Sequence, residues 1–220
     1  KTDARGKTTL YGHDSSENLI AITNPMGEVT SYSMDVSGNP VAIQNAKGQV
    51  SSFEYDYFNR LLSATTPKGE KTEYFYDNAG NLTQMKDPLG NVSQYHFDVM
   101  GRMDSKKDQL GFETDYAYDA NGNVIQEIDP NGNLKKFYYD SSNRIVQRAL
   151  PDDIYNYSYD RLGNLATLEN KNSAFTFTYD VASRLTSIAM AGRGALSDFP
   201  ATIFAYDYDE NGNRVQTRGP

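Results

Sequence analysis

The chemistry-bearing side chains of this 220-residue chain are mostly carboxylates, and they recur. Aspartates stand at Asp14, Asp35, Asp56, Asp77, Asp98, Asp119 and Asp140, each 21 residues from the last. The interval then shortens to 20, at Asp160 and Asp180, before a jump to Asp209. Paired carboxylates could hydrolyse a glycosidic bond, and clustered ones could hold calcium. Asp207-Tyr208-Asp209-Glu210-Asn211-Gly212 matches the first half of an EF-hand loop, but its twelfth position is Arg218, where a bidentate glutamate is required. Asp119-Ala120-Asn121-Gly122 is a shorter echo. A catalytic pair would depart from a repeat, not constitute it. The regular aspartates therefore read as turn formers, and no catalytic residue, cofactor or metal site is assigned. His13 and His96 stand 83 residues apart and no cysteine is present, so no transition-metal or thiolate constellation exists. His13 fills a slot that is aromatic in most other repeats and reads as a packed ring; His96 fills a variable slot and reads as solvated.

The elements that must carry these residues follow from the period. Self-similarity every 21 residues marks a repeat architecture. A second series, Gly6, Gly27, Gly48, Gly69, Gly90, Gly111 and Gly132, keeps the same interval. Each repeat thus holds two turns. In the first, Asp77, Asp98 and Asp119 can accept backbone N–H groups two residues on, while Gly80, Gly101 and Gly122 supply a positive φ. Asn59 and Asn143 replace glycine there, and asparagine is the next most tolerant residue. In the second, Asp87-Pro88-Leu89-Gly90 and Asp129-Pro130-Asn131-Gly132 fit a type I turn followed by a left-handed residue.

Between the turns lie strands. The residue three before each turn aspartate is always aromatic, and the residue one before usually is. Tyr74 and Tyr76, Tyr95 and Phe97, Tyr116 and Tyr118, and Phe137 and Tyr139 are such pairs. Alternation of period two is a half-buried strand. These rings are expected to form a ladder, ring packed on ring from repeat to repeat. The residue between each pair varies freely, and Phe75 and Tyr138 would point outward there. After the turn come apolar residues spaced by three, such as Leu82 and Met85, which a β-bulge would explain. The fold class is all-β, helix-poor and antiparallel. Roughly twenty strands at about 4.8 Å each would make a ribbon on the order of 95 Å long, which must twist and coil.

Composition narrows the function. A net charge of −8 argues against nucleic acid and anionic membrane surfaces. No apolar run reaches the roughly 18 residues of a membrane span, and the start shows no signal peptide. Asn81, Asn91 and Asn156 sit in glycosylation sequons, relevant only in a eukaryotic secretory context.

The pattern weakens late. Pro151-Asp152-Asp153 and Asn170-Lys171-Asn172-Ser173 replace the second turn, and residues 191–200 are inserted. The organisation is repeats over 1–189, an inserted loop over 190–204 and the start of a further repeat over 205–220. The inserted loop reads as a longer surface loop, with a plug or partner-binding loop as the sharper alternative. Both ends fall inside a repeat without a capping unit, so the chain is expected to be a segment of a longer polypeptide.

Tyr76-Asp77…Gly80-Asn81-Leu82…Asp87-Pro88…Gly90, and its copy Tyr118-Asp119…Gly122-Asn123-Val124…Asp129-Pro130…Gly132, resemble the YD repeat of the RHS/YD-repeat family, and more distantly the shells of Tc toxins and teneurin-like YD repeats. The resemblance covers essentially the whole chain. It implies a strip of hairpins wound as a spiral into a hollow shell. It further implies a non-enzymatic wall segment of a secreted or cell-surface bacterial protein, its partners being flanking repeats and a C-terminal effector or toxin of the same polypeptide. The family's self-cleaving core motif has no match here. The alternative is a carbohydrate-binding surface module, with Phe75, Tyr138 and Tyr208 as its candidate contacts.

Overall fold

A computed structural model describes residues 1–196 and 201–219. Twenty strands and a single 3-10 turn, Gly194–Leu196, are the regular elements among the described residues. The strands are β1 (Leu10–His13), β2 (Leu19–Thr23), β3 (Val29–Met34), β4 (Pro40–Gln44), β5 (Val50–Tyr55), β6 (Leu61–Thr65), β7 (Lys71–Tyr76), β8 (Leu82–Lys86), β9 (Val92–Phe97) and β10 (Met103–Lys107). They continue as β11 (Glu113–Tyr118), β12 (Val124–Ile128), β13 (Leu134–Tyr139), β14 (Ile145–Ala149), β15 (Ile154–Tyr159), β16 (Leu165–Glu169), β17 (Ser173–Tyr179), β18 (Leu185–Gly192), β19 (Thr202–Tyr208) and β20 (Arg214–Arg218).

The chain forms two units, residues 1–112 and 113–220. In the first, β1 to β10 pair antiparallel in chain order. In the second, β11 to β20 do the same. Local chemistry explains the meander, since most connections are five-residue turns whose ends hydrogen-bond each other, Asp87 with Asn91 for example.

A bulge recurs where an odd strand meets the next even one. Tyr76 pairs with Leu82 and Phe75 with Gln84, so Thr83 is the extra residue. The bulge brings Leu82 and Met85, three apart, onto one face with Tyr76 and Tyr74. One face therefore carries rings and aliphatics. The other carries Glu73, Phe75, Gln84 and Lys86 and is largely polar.

No apolar side chain among the described residues is buried; Ser63, Ser93 and Thr114 are the buried residues. A sheet without a second layer covers its apolar residues only with their neighbours on the same face. The region expected as an inserted loop is partly strand: β18 runs to Gly192 and β19 starts at Thr202. Residues 197–200 of that loop lie outside the described residues.

Candidate functional site

The first turn of each repeat, and several of the second, are built around one carboxylate; Asn24, Asn45 and Asn170 take that place in other second turns. At Asp87, Oδ1 accepts the backbone N–H groups of Leu89 and Asn91, at 2.9 and 2.8 Å. Its Oδ2 accepts the Asn91 side-chain amide at 2.8 Å. The Gly90 N–H donates to the Asp87 carbonyl, and the Asp87 N–H to the Asn91 carbonyl. Asp77, Asp119 and Asp129 repeat this arrangement with Asn81, Asn123 and Asn133. At Asp98 the fourth residue is Arg102, whose Nε donates to Oδ2 at 2.7 Å. These bonds hold the carboxyls below the ordinary aspartate value: the Asn81 amide and backbone N–H act on Asp77, and the Arg102 guanidinium and backbone N–H on Asp98.

Gly80, Gly90, Gly101, Gly122 and Gly132 all have φ between +76° and +94°. Asn59 and Asn143 hold the same conformation at +61° and +58°. Glu17 and Ser183 do so as well, at +65° and +58°, which the sequence reading did not single out.

The turns also clamp consecutive repeats together. Arg60 Nε donates to Asp56 Oδ2 at 2.6 Å, and its second nitrogen reaches the Asp77 carbonyl of the following repeat at 3.2 Å. The same guanidinium lies 4.7 Å from the centre of the Tyr76 ring. Arg144 covers Tyr159 at 4.4 Å, and Arg184 covers Tyr208 at 5.0 Å. Each of these arginines occupies the space beside the next repeat's glycine: a Cβ on Gly80, Gly163 or Gly212 would stand 3.6, 3.4 or 3.6 Å from Arg60, Arg144 or Arg184.

Where the next repeat has a side chain at that position, the arginine is replaced by asparagine. The Asn39 amide donates to Asn59 Oδ1 at 2.7 Å, Asn123 to Asn143 at 2.9 Å, and Asn164 to Ser183 Oγ at 3.2 Å. The sequence reading missed this correlation. Tabulating the residue after each turn glycine against the turn residue 19 to 28 places later would have found it.

On the apolar face every ladder residue, Tyr74, Tyr76, Tyr95, Phe97, Tyr116, Tyr118, Phe137 and Tyr139, is half-buried. The expected ring-on-ring packing is corrected in part. Equivalent rings lie two strands, about 9.6 Å, apart, and an even strand intervenes. Tyr76 faces Leu82, Tyr74 faces Met85, Tyr139 faces Ile145 and Phe137 faces Arg148. The tyrosine hydroxyls have a separate task. Tyr76 donates to the Leu61 carbonyl at 2.9 Å, Tyr139 to Val124 at 2.8 Å, and Tyr159 to Ile145 at 2.9 Å. Each target starts the bulged strand of the preceding repeat. Burial raises the Tyr76 and Tyr139 phenols above their ordinary value.

In the second unit this face is interrupted by charge. Glu127 and Lys135 are paired across strands at 2.7 Å, and Arg148 lies 4.8 Å from the Tyr155 ring centre.

His13, expected as a packed ring, is exposed. His96 is exposed but bound to Asp104. Phe75 and Tyr138 are 43% and 48% exposed on the polar face. They stand in different units, so they do not form a common platform within either. Tyr208, the third candidate contact, is half-buried and donates to the Leu185 carbonyl at 2.9 Å.

The EF-hand-like stretch has its carboxylates engaged otherwise: Asp207 with Arg218 at 2.8 Å, and Asp209 with Asn213 at 3.0 Å. No group of three or more metal-ligating side chains occurs among the described residues.

Hairpins of recurring register, an aspartate in the first turn of each repeat and, in most, a tyrosine before it define a YD-repeat β-sheet. The family model described as the teneurin YD-shell matches residues 2–156, well over half of the chain, and the chain belongs to that family. No curated protein matches it. Among solved structures, TcdB2-TccC3-TEV superposes with a TM-score of 0.77 at 18% identity, over 96% of this chain and 12% of that one. TcdB2-TccC3 superposes with a TM-score of 0.59 at 16% identity, over 100% of this chain and 15% of that one. The Photorhabdus luminescens Tc holotoxin pore carrying the TccC3-D651A mutation gives 0.58 at 15%, over 96% and 14%. The chain thus spans roughly an eighth of the length of these proteins and shares their fold.

Proposed function

We propose that these repeats form part of the wall of a β-shell that encloses or carries a C-terminal effector of the same polypeptide. The observation that carries the reading is a sheet with no buried apolar residue among the described residues. Its rings are half covered, and a free apolar face of this kind is a liability in water. Turned toward an enclosed chain, it becomes a lining. A related solved structure, TcdB2-TccC3 without hypervariable C-terminal region, supports the reading, since that protein has a hypervariable C-terminal region. In this reading the chain performs no catalysis, its partners are flanking repeats and the effector, and the protein is secreted or displayed on the cell surface. No helix among the described residues is long and apolar enough to cross a membrane.

The test uses the intact native gene product. Its mass and denaturing-gel pattern are measured, then the protease sensitivity of its C-terminal portion under native conditions. The expected result is a large polypeptide whose C-terminal portion is protected until the shell is denatured. A C-terminal portion digested as fast under native conditions as after denaturation would refute enclosure.

A further inference from the structure

The slot eight residues after each turn aspartate directly opposes the first ring of the aromatic pair, as Met85 opposes Tyr74. It holds Ile22, Ile43, Ala64, Met85, Leu168 and Ile188 in six repeats, and Lys106, Glu127 and Arg148 in three consecutive ones. In the second unit Glu127 is neutralised across the strands by Lys135 at 2.7 Å. Arg148 has no such counterpart. It opposes Phe137 on one side and Tyr155 on the other, and its guanidinium carbon lies 4.8 Å from the Tyr155 ring centre. The Asp153 carboxylate, from the turn before β15, accepts the Ile154 and Lys171 N–H groups instead.

Arg148 therefore stands as a cation without an acid on a ring-lined face. It makes no hydrogen bond or ion pair among the described residues, and its Nε is the one buried side-chain nitrogen or oxygen there without a partner. A guanidinium carries five donors and no acceptor, and a buried donor left unpaired is unfavourable. An aliphatic side chain fills the same slot elsewhere in the chain without that cost. A residue that weakens the sheet it sits in points to a partner outside the sheet.

The surroundings select the chemistry of that partner. A guanidinium fork matches a carboxylate through two parallel N–H···O bonds. The rings of Phe137, Tyr155 and Tyr157, half-buried on the same face, lower the local polarity, which strengthens such a pair relative to water. They also give apolar side chains a surface to cover. A small free anion would use the cation and leave the rings bare, whereas a chain segment carrying an aspartate or glutamate between apolar residues uses both.

We propose that Arg148 is the docking point for an acidic residue of the enclosed C-terminal portion, one carboxylate pairing with the guanidinium and its apolar neighbours lying on the rings. This docking rests on enclosure and adds the chemistry by which the wall holds what it encloses.

The test uses the intact native gene product, with amide exchange of its C-terminal portion read by mass spectrometry. Arg148→Met puts into the slot the residue that Met85 already places there, so the wall should fold as the parent does, checked by far-UV circular dichroism. Exchange is expected to speed up about tenfold, the size of a hydrogen bond to a charged group, in one segment of the C-terminal portion that contains an aspartate or glutamate. Arg148→Lys keeps the charge but not the fork and should speed it less. Changing that acid to its amide in the parent should have the same effect as Arg148→Met, and should add nothing in the Arg148→Met background. The amide variant leaves the wall untouched, so it decides the matter whatever Arg148→Met does to folding. A C-terminal portion unprotected in the parent would refute enclosure and docking together. A protected portion whose exchange Arg148→Met leaves unchanged, a change confined to β13–β15, or an amide variant whose effect adds fully to that of Arg148→Met would overturn the docking alone.

Discussion

The clamp between repeats makes a prediction about pairs of residues rather than single ones. Replacing Gly80 by asparagine puts a Cβ at a φ of +94°, 3.6 Å from the Arg60 guanidinium. Asparagine tolerates the left-handed region, so the backbone cost is at the low end, about 1 kcal/mol. The side chain beyond Cβ needs the space that Arg60 occupies. Displacing Arg60 forfeits its contact with Tyr76, about 0.5–1 kcal/mol, and its bond to the Asp77 carbonyl, about 1 kcal/mol. Gly80→Asn should therefore destabilise by about 2–3 kcal/mol. Arg60→Asn alone loses the same two contacts but keeps a donor for Asp56, as Asn39 does for Asp35 at 2.9 Å; about 1–2 kcal/mol follows. The double variant recreates the natural Asn39–Asn59 pair, bonded at 2.7 Å. It should be more stable than the sum of the single changes by about 1 kcal/mol, as expected of residues in contact. The assay is denaturant unfolding of all four proteins by circular dichroism. Amide exchange across Asp77 to Asn81 accompanies it, because repeat arrays open locally. Effects that add within about 0.3 kcal/mol would refute the clamp.

Other outcomes follow from the same geometry. Gly90→Val meets no atom within 4 Å of its new Cβ, so its cost is backbone strain at φ +87° alone. It should amount to at least 1–2 kcal/mol, with damage confined to neighbouring repeats; an unchanged melting temperature would contradict the turn assignment. Tyr76→Phe removes the donor to the Leu61 carbonyl and should cost about 1 kcal/mol, read as faster amide exchange at the β6–β7 junction. Stability should also depend on acid. The Asn81 and Asn91 side-chain amides hold the Asp77 and Asp87 carboxyls below the ordinary aspartate value. Their stabilisation is fully present above the unfolded value and is lost as pH falls through the folded one. Melting temperature should therefore change little between pH 7 and 5 and fall steeply below 3.8; a flat profile down to pH 2 would exclude this role.

Much of the fold was legible because each repeat states it locally. Asp87, Gly90 and Asn91 lie within five residues, and their hydrogen bonds need nothing else. The bulge was legible too, in the spacing of three between Leu82 and Met85. The ladder was misread in one respect: alternation places Tyr74 and Tyr76 on one face, but it does not say that a strand of aliphatics separates one repeat's rings from the next. His13 was misread because a slot's usual occupant is not by itself evidence of burial. Of the candidate contacts, Phe75 and Tyr138 point outward as the alternation implies, whereas Tyr208 belongs to the clamp with Arg184.

By itself the sequence determined the period, the all-β class, the two turn types and the places where positive φ is needed. These depend on interactions between residues at most a few positions apart. Only the tertiary structure decided which arginine meets which glycine and where each tyrosine hydroxyl goes. Those contacts join residues 14 to 28 positions apart, such as Tyr159 with Ile145 and Arg184 with Gly212. They exist only after strand register is set, because a one-residue slip would turn every side chain to the opposite face.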